Sequence, residues 1–153
     1  MKDFVQAAHR LAIARAMRGE PNVVCETCGR PIELYKRPLH AEMARFLVRL
    51  VRLWRREQRP YTAREVLGIT NKASTDASFL THWGLVTKDS QKPSSGYYSP
   101  TPAGIDFVDG KVSVPSHVHL LLKLRCGFAE TRTTIQQALE TRFDYAKLMS
   151  EAL

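Results

Sequence analysis

Apolar residues recur most regularly between positions 39 and 58, where Met43, Phe46, Leu47, Leu50 and Trp54 fall at i, i+3, i+4, i+7 and i+11. This spacing predicts the strongest amphipathic helix of the chain. Arg45, Arg49, Arg52 and Arg56 lie opposite that face, within a sector of roughly 60°. A weaker repeat of Phe4, Ala8, Leu11 and Ala12 predicts a helix over 3–18, closed by Gly19 and Pro21. Its apolar side is largely alanine, which suits a packing helix better than one lying on a membrane.

Thr62-x-x-Glu65 is a capping box that starts a short helix ending near Gly68. A tight turn leads to a second helix, Lys72 to Trp83, with Ala73, Ala77 and Leu80 marking its buried side. Asn71, Thr75, Ser78 and His82 mark its exposed side. Gly84 ends this helix, a strand starts at Leu85-Val86, and the polar run 88–96 reads as a loop before a returning strand, Tyr97 to Pro100. Pro102 opens a further short helix that stops at Gly110. The last third predicts β-prone runs at Lys111–Val114 and His117–Leu122, taken as a hairpin. A helix capped by Thr134-x-x-Gln137 follows, then a break near Arg142–Tyr145 and a final short helix.

Two helices joined by a tight turn and followed by a strand–loop–strand form a winged helix-turn-helix, with 72–83 as recognition helix. The fold class expected is α+β, mainly helical. An N-terminal helix and cysteine knuckle occupy 1–38, the winged helix 39–115, and a strand-helix extension packed on the core 116–153.

Charge changes this picture. Residues 1–64 carry 14 Lys/Arg against 6 Asp/Glu, whereas 65–153 carry 9 of each, so the net charge of +8 sits in the first part of the chain. A basic region of this kind favours a polyanion or an acidic protein surface. Six arginines stand between 41 and 59 with only Glu42 and Glu57 to offset them, so the stripe is expected not to be neutralised by helical ion pairs, and the guanidinium fork suits phosphate or carboxylate. The stripe is therefore read as a docking face, the alternative being a solvated side of a core helix. On the docking reading, glutamine at all four positions weakens polyanion binding and leaves the fold intact. No apolar run is long enough to cross a membrane. Asp3, His9, Arg10 and Arg15 interrupt any signal-peptide core, and a cytoplasmic location is expected.

Cys25-x-x-Cys28 followed by Gly29 has the spacing of a zinc knuckle, in which one tight turn supplies two thiolates. A tetrahedral site needs two more ligands, and Cys126, His40, His117 and His119 are the candidates. His117 and His119 would share one face of a strand. Two reduced cysteines in a turn fit the same spacing. A redox pair fits less well, because Gly29-Arg30-Pro31 does not start a helix. Asp106 and Asp109 without a partnered His or Lys suggest no catalytic pair. No phosphate-cradling loop, H-E-x-x-H or G-x-S-x-G is present, so no enzyme is expected.

CETCG, YKRPLHAEMARFL, THWGLV, SGYYSPTPAGIDFVDGKVSVPSHVHL and RFDYAKLM, in that order over about 25–149, resemble a set of uncharacterised phage and bacterial proteins. The resemblance implies a winged-helix core with a cysteine knuckle in a phage or mobile-element setting, and it supplies no catalytic residues. The function expected is a regulatory DNA-binding protein with weak or shape-based readout of double-stranded DNA. Arg45, Arg49, Arg52 and Arg56 would dock it, with Asn71, Lys72, Thr75, Ser78, His82 and the wing lysines Lys88 and Lys92 orienting it. The alternative is an interaction module that docks on a host or defence protein through the basic helix.

Overall fold

In the computed structural model, residues 2–68, 76–88, 96–121 and 124–153 are described. In chain order the elements begin with α1 (Lys2–Met17), β1 (Val23–Val24), β2 (Pro31–Ile32), β3 (Leu34–Pro38), α2 (Ala41–Arg56), β4 (Tyr61–Thr62) and α3 (Ala63–Leu67). A 3₁₀ helix (Ala77–Trp83), β5 (Val86–Lys88), β6 (Tyr97–Pro100), α4 (Pro102–Val108) and β7 (Val114–Pro115) follow. The chain ends with β8 (His117–Leu121), β9 (Leu124–Phe128), β10 (Arg132–Thr133), α5 (Ile135–Leu139) and α6 (Tyr145–Ser150). The class is α+β. Two compact units are present: Met1–Arg37 with His117–Ala129 (unit 1), and Pro38–Ser116 with Glu130–Leu153 (unit 2). Among the described residues no helix is long and apolar enough to cross a membrane.

Unit 2 is built around α2. Met43, Phe46, Leu47 and Leu50 are fully enclosed, as the periodicity predicts, and Trp54 is half-buried. Ala44, Val48 and Val51 are enclosed too, so the strip bearing Glu42, Arg45, Arg49 and Arg52 is the side left partly open. Such a helix is stabilised by burial on most of its circumference, at about 1.5–3 kcal/mol for each large side chain. The short helices around it start where the sequence supplies caps. Thr62 and Glu65 form a reciprocal capping box at α3, Thr134 and Gln137 do so at α5, and Thr101 with Pro102 opens α4.

β4, β6 and β5 form one antiparallel sheet in the order β4-β6-β5. Tyr98 of β6 packs edge-on against Phe46 of α2, ring centroids 5.6 Å apart, and so seats the sheet on the central helix. Gly104 allows α4 to lie against the start of this sheet. A Cβ there would stand 2.1 Å from the carbonyl oxygen of Leu85, which already accepts from the Thr101 N–H at 3.0 Å.

Several local expectations change. The described part of the segment read as helix 72–83 is 3₁₀ from Ala77 to Trp83, and ends in left-handed Gly84 (φ 71°). Trp83 Nε1 donates to the Pro115 carbonyl at 2.8 Å, which ties the end of this helix to β7. The hairpin expected near 111–122 is instead β8–β9, reaching Phe128, with a bulge between His119 and Leu120. β7 pairs with β10, so Val114 leaves the first β-prone run and aligns with Thr133.

Unit 1 contains α1, the β1–β2 hairpin and a sheet in the order β3-β8-β9. Its cluster comprises Ala12, Ala16, Val23, Cys25, Ile32 and Leu121. Leu11, expected on the buried face of α1, is 61% exposed. The covered side of the helix runs through Ala8, Ala12 and Ala16 instead, because small side chains let the helix approach the hairpin closely.

Candidate functional site

Cys25 follows directly on β1. Its N–H donates to the Arg30 carbonyl (2.9 Å) and its own carbonyl accepts from the Gly29 N–H (2.7 Å), closing a tight turn between β1 and β2. Gly29 takes φ +70°, a conformation that costs other residues more. Cys28 stands exposed on this turn while Cys25 is buried.

His9 completes the group. A ring nitrogen of His9 and the Sγ atoms of Cys25 and Cys28 all lie within 4.8 Å of one another. The helix delivers it because His9 is one turn before Ala12, whose burial fixes the rotation of α1. Tetrahedral Zn–S and Zn–N bonds separate donors by roughly 3.5–3.8 Å, so small side-chain rotations close the 4.8 Å group on an ion. His9, Cys25 and Cys28 could therefore hold a metal ion. The backbone N–H of Cys28, the His9 side chain and the backbone N–H of Thr27 favour the Cys25 thiolate and bring its pKa down to about 6.

The other ligand candidates from the sequence lie outside this group. Cys126 donates its Sγ–H to the His119 carbonyl at 3.2 Å, and burial pushes its thiol pKa up. His119 lines a cavity of about 600 Å³ with Ile32, Glu33 and Lys36, and His117 occupies the same face of β8 two residues earlier. His40 is the N-cap of α2, accepting from Met43 N–H at 3.4 Å, and its Nε2 stands 3.1 Å from Asp76 Oδ2. A helix-capping nitrogen and a carboxylate partner leave His40 no free donor atom for a metal. His9 is not legible from sequence spacing, because it precedes Cys25 by 16 residues and only the packing of α1 brings it to the turn. The available signal was a lone histidine beside an alanine stripe.

The four stripe arginines do lie along one side of α2, but that side seats the C-terminal helix α6. Arg49 forks onto Glu151, Nε to Oε1 at 2.8 Å and Nη2 to Oε2 at 3.3 Å. Arg52 donates to the carbonyls of Leu148 (2.7 Å) and Glu151 (2.6 Å), and Arg56 donates to the Leu153 carbonyl. Helix C-termini leave carbonyls without intrahelical partners, and these guanidinium groups take them up. Arg45 pairs with Glu42 at 2.8 Å, three residues away on the same helix, and stacks over Phe143 with Cζ 4.8 Å from the ring centroid. The expectation of a stripe left without helical ion pairs is corrected at Arg45. Arg49 and Arg52, each half-buried, form an internal clamp on the C-terminal helix. Beside the clamp lies a cavity of about 530 Å³ whose lining includes Arg45, Arg142, Phe143, Asp144 and Lys147.

Of the orienting residues, Ser78 and His82 lie half-buried on the 3₁₀ helix, with the His82 ring 6.0 Å from that of Phe79. Lys88 is exposed at the end of β5. Asn71, Lys72, Thr75 and Lys92 lie outside the described residues. Asp109 pairs with Arg55 at 2.6 Å, and the Asp106 carbonyl accepts from Lys111 N–H.

Compared with family models, curated proteins and solved structures, the chain matches none.

Proposed function

We propose that unit 2 is a winged helix-turn-helix and that the protein is a regulatory DNA-binding protein of phage or mobile-element type. The observation that carries this reading is the order α2, β4, α3, 3₁₀ helix, β5, β6, with the sheet ordered β4-β6-β5. A helix pair followed by a hairpin at the edge of a small sheet presents one helix and one loop to the same partner. Readout is weak or shape-based. In the 3₁₀ stretch side chains three apart eclipse one another, and it offers Ser78 and His82 rather than arginine for base edges. Affinity then comes from phosphate contacts by exposed cations such as Lys88 and Arg64, within a chain of net charge +8.

Fluorescence anisotropy with random duplex and single-stranded DNA tests this. Salt-sensitive binding with Kd on the order of 10⁻⁴–10⁻⁶ M is expected. An absence of binding at about 50 mM salt, where phosphate contacts are strongest, removes the reading. The cavity beside the clamp favours a second reading, an acidic protein segment seated among Arg45, Arg142 and Lys147. Excess unrelated duplex DNA should displace a nucleic acid from the chain and leave such a protein bound.

Zinc is the ion we assign to His9, Cys25 and Cys28, because two thiolates and an imidazole from one turn and one helix are its usual donors. Its part in this reading is structural: it joins α1 to the β1–β2 hairpin.

A further inference from the structure

Among the described residues the group contributes three donors, where tetrahedral zinc takes four. We infer that the fourth coordination position is open in the isolated chain and holds an exchangeable water, which a monodentate nitrogen or sulfur donor can replace. This rests on the zinc reading of His9, Cys25 and Cys28 and goes beyond its structural role.

The burial of the donors places the open side. Cys25 is fully enclosed, His9 is half-buried and Cys28 is exposed, so an ion held by all three has protein behind Cys25 and solvent beside Cys28. Among the described residues no other cysteine or histidine joins the group: Cys126 is at the His119 carbonyl, His40 at Met43 and Asp76, His119 in its own cavity, His82 beside Phe79 on the 3₁₀ helix and His117 on β8. Glu26 lies between the two cysteines in sequence, yet among the described residues it does not join the group. It lines a separate small groove with Ala8, Leu11 and Val24. Four protein ligands close a zinc site, whereas three leave one position to water; the ion can still join α1 to the hairpin through the three it has.

The test uses the full chain, stripped of metal, reloaded with Co(II) and followed by visible absorption. One cobalt per chain is expected, with thiolate charge-transfer bands and ligand-field bands that move saturably when thiocyanate is added. Outer-shell partners alone are worth roughly 10–100-fold in metal affinity, so His9→Gln should weaken binding by at least about tenfold. His9→Cys keeps a donor, and should retain binding with a stronger charge-transfer band even if the glutamine variant folds poorly. Cys126→Ser should change nothing. If cobalt produces no thiolate bands, the zinc reading fails and this inference fails with it. Bands that ignore thiocyanate, or that change with Glu26→Gln, mean the chain closes its own site; the inference is then overturned while zinc stands. Bands that vary with protein concentration, alongside a dimer in sedimentation, put a second chain's donor in that position and overturn it equally.

Discussion

In unit 2 the largest enclosed side chains, Phe46, Phe107, Met43, Leu47, Leu50 and Leu80, come from helices α2 and α4 and the 3₁₀ helix and form one cluster. In unit 1 the corresponding cluster is Ala12, Ala16, Val23, Cys25, Ile32 and Leu121, so half of it is alanine and cysteine. Apolar burial scales with buried area, at about 25 cal/mol per Å². A cluster of small side chains therefore contributes far less than one of Phe, Met and Leu. Unit 1 also leaves Leu11, Met17, Val24 and Tyr35 exposed. A region of roughly 50 residues falls in the range where small folds add a staple, such as a disulfide or a metal. The difference teaches that one chain is built in two ways: by burial of large hydrocarbon side chains around α2, and by small side chains packed at a turn whose buried cysteine also belongs to a group that could hold a metal ion.

The largest effect expected is from breaking the packing of unit 2. Gly104→Ala forces a Cβ to within 2.1 Å of the Leu85 carbonyl oxygen, so α4 must leave the sheet or the sheet must shift. A loss of about 3 kcal/mol or more in urea unfolding is expected, the scale of a large core defect. An unchanged midpoint would show that the two backbones separate freely.

A smaller effect separates the arginines of α2 from one another. Arg52→Gln removes a charged donor from two carbonyls at the end of α6 and should cost about 1.5–3 kcal/mol. Arg56→Gln, at an exposed position, should stay within about 0.5 kcal/mol. Replacing all four arginines is accordingly expected to loosen the C-terminal helix, contrary to the expectation from sequence that the fold would be indifferent. Equal midpoints for the two single variants would return the stripe to the solvent.

The smallest effect belongs to unit 1 without metal. The Cys25 thiol pKa is lowered to about 6 from an ordinary 9.0, so the folded chain holds a thiolate that the unfolded chain protonates. The resulting stability is complete above pH 9.0 and is lost as pH falls through about 6. Hydrogen exchange across β1 and β2 in the metal-free chain should quicken over that window as pH falls, after correction for the intrinsic rate. Cys25→Ser should abolish the dependence. A flat profile in the unaltered chain would mean that the turn does not favour the thiolate.

The elements themselves were largely legible from local pattern. The periodicity of Met43, Phe46, Leu47 and Leu50 located α2, and the pairs Thr62/Glu65 and Thr134/Gln137 located the starts of α3 and α5. Each signal is complete within a few residues, since caps and helical faces act over one or two turns. Strand pairing was less legible. Lys111–Val114 and His117–Leu122 both look β-prone, but Val114 pairs with Thr133 and His117–Leu121 pairs with the segment ending at Phe128. Choosing between such partners depends on long-range closure that β-propensity does not encode.

Sequence by itself determined the α+β class, the central helix, the caps and the two cysteines of the knuckle, because each depends on neighbours along the chain. Tertiary structure decided the partners of the charged groups and of the histidine beside the two cysteines. Arg49 meets Glu151 across 102 residues, and Arg52 meets Leu148 across 96. His9 reaches Cys25 and Cys28 only because a buried alanine face turns α1 towards the hairpin. A guanidinium or an imidazole binds whatever acceptor or ion the fold brings within about 3 Å, and no spacing along the chain specifies that distance.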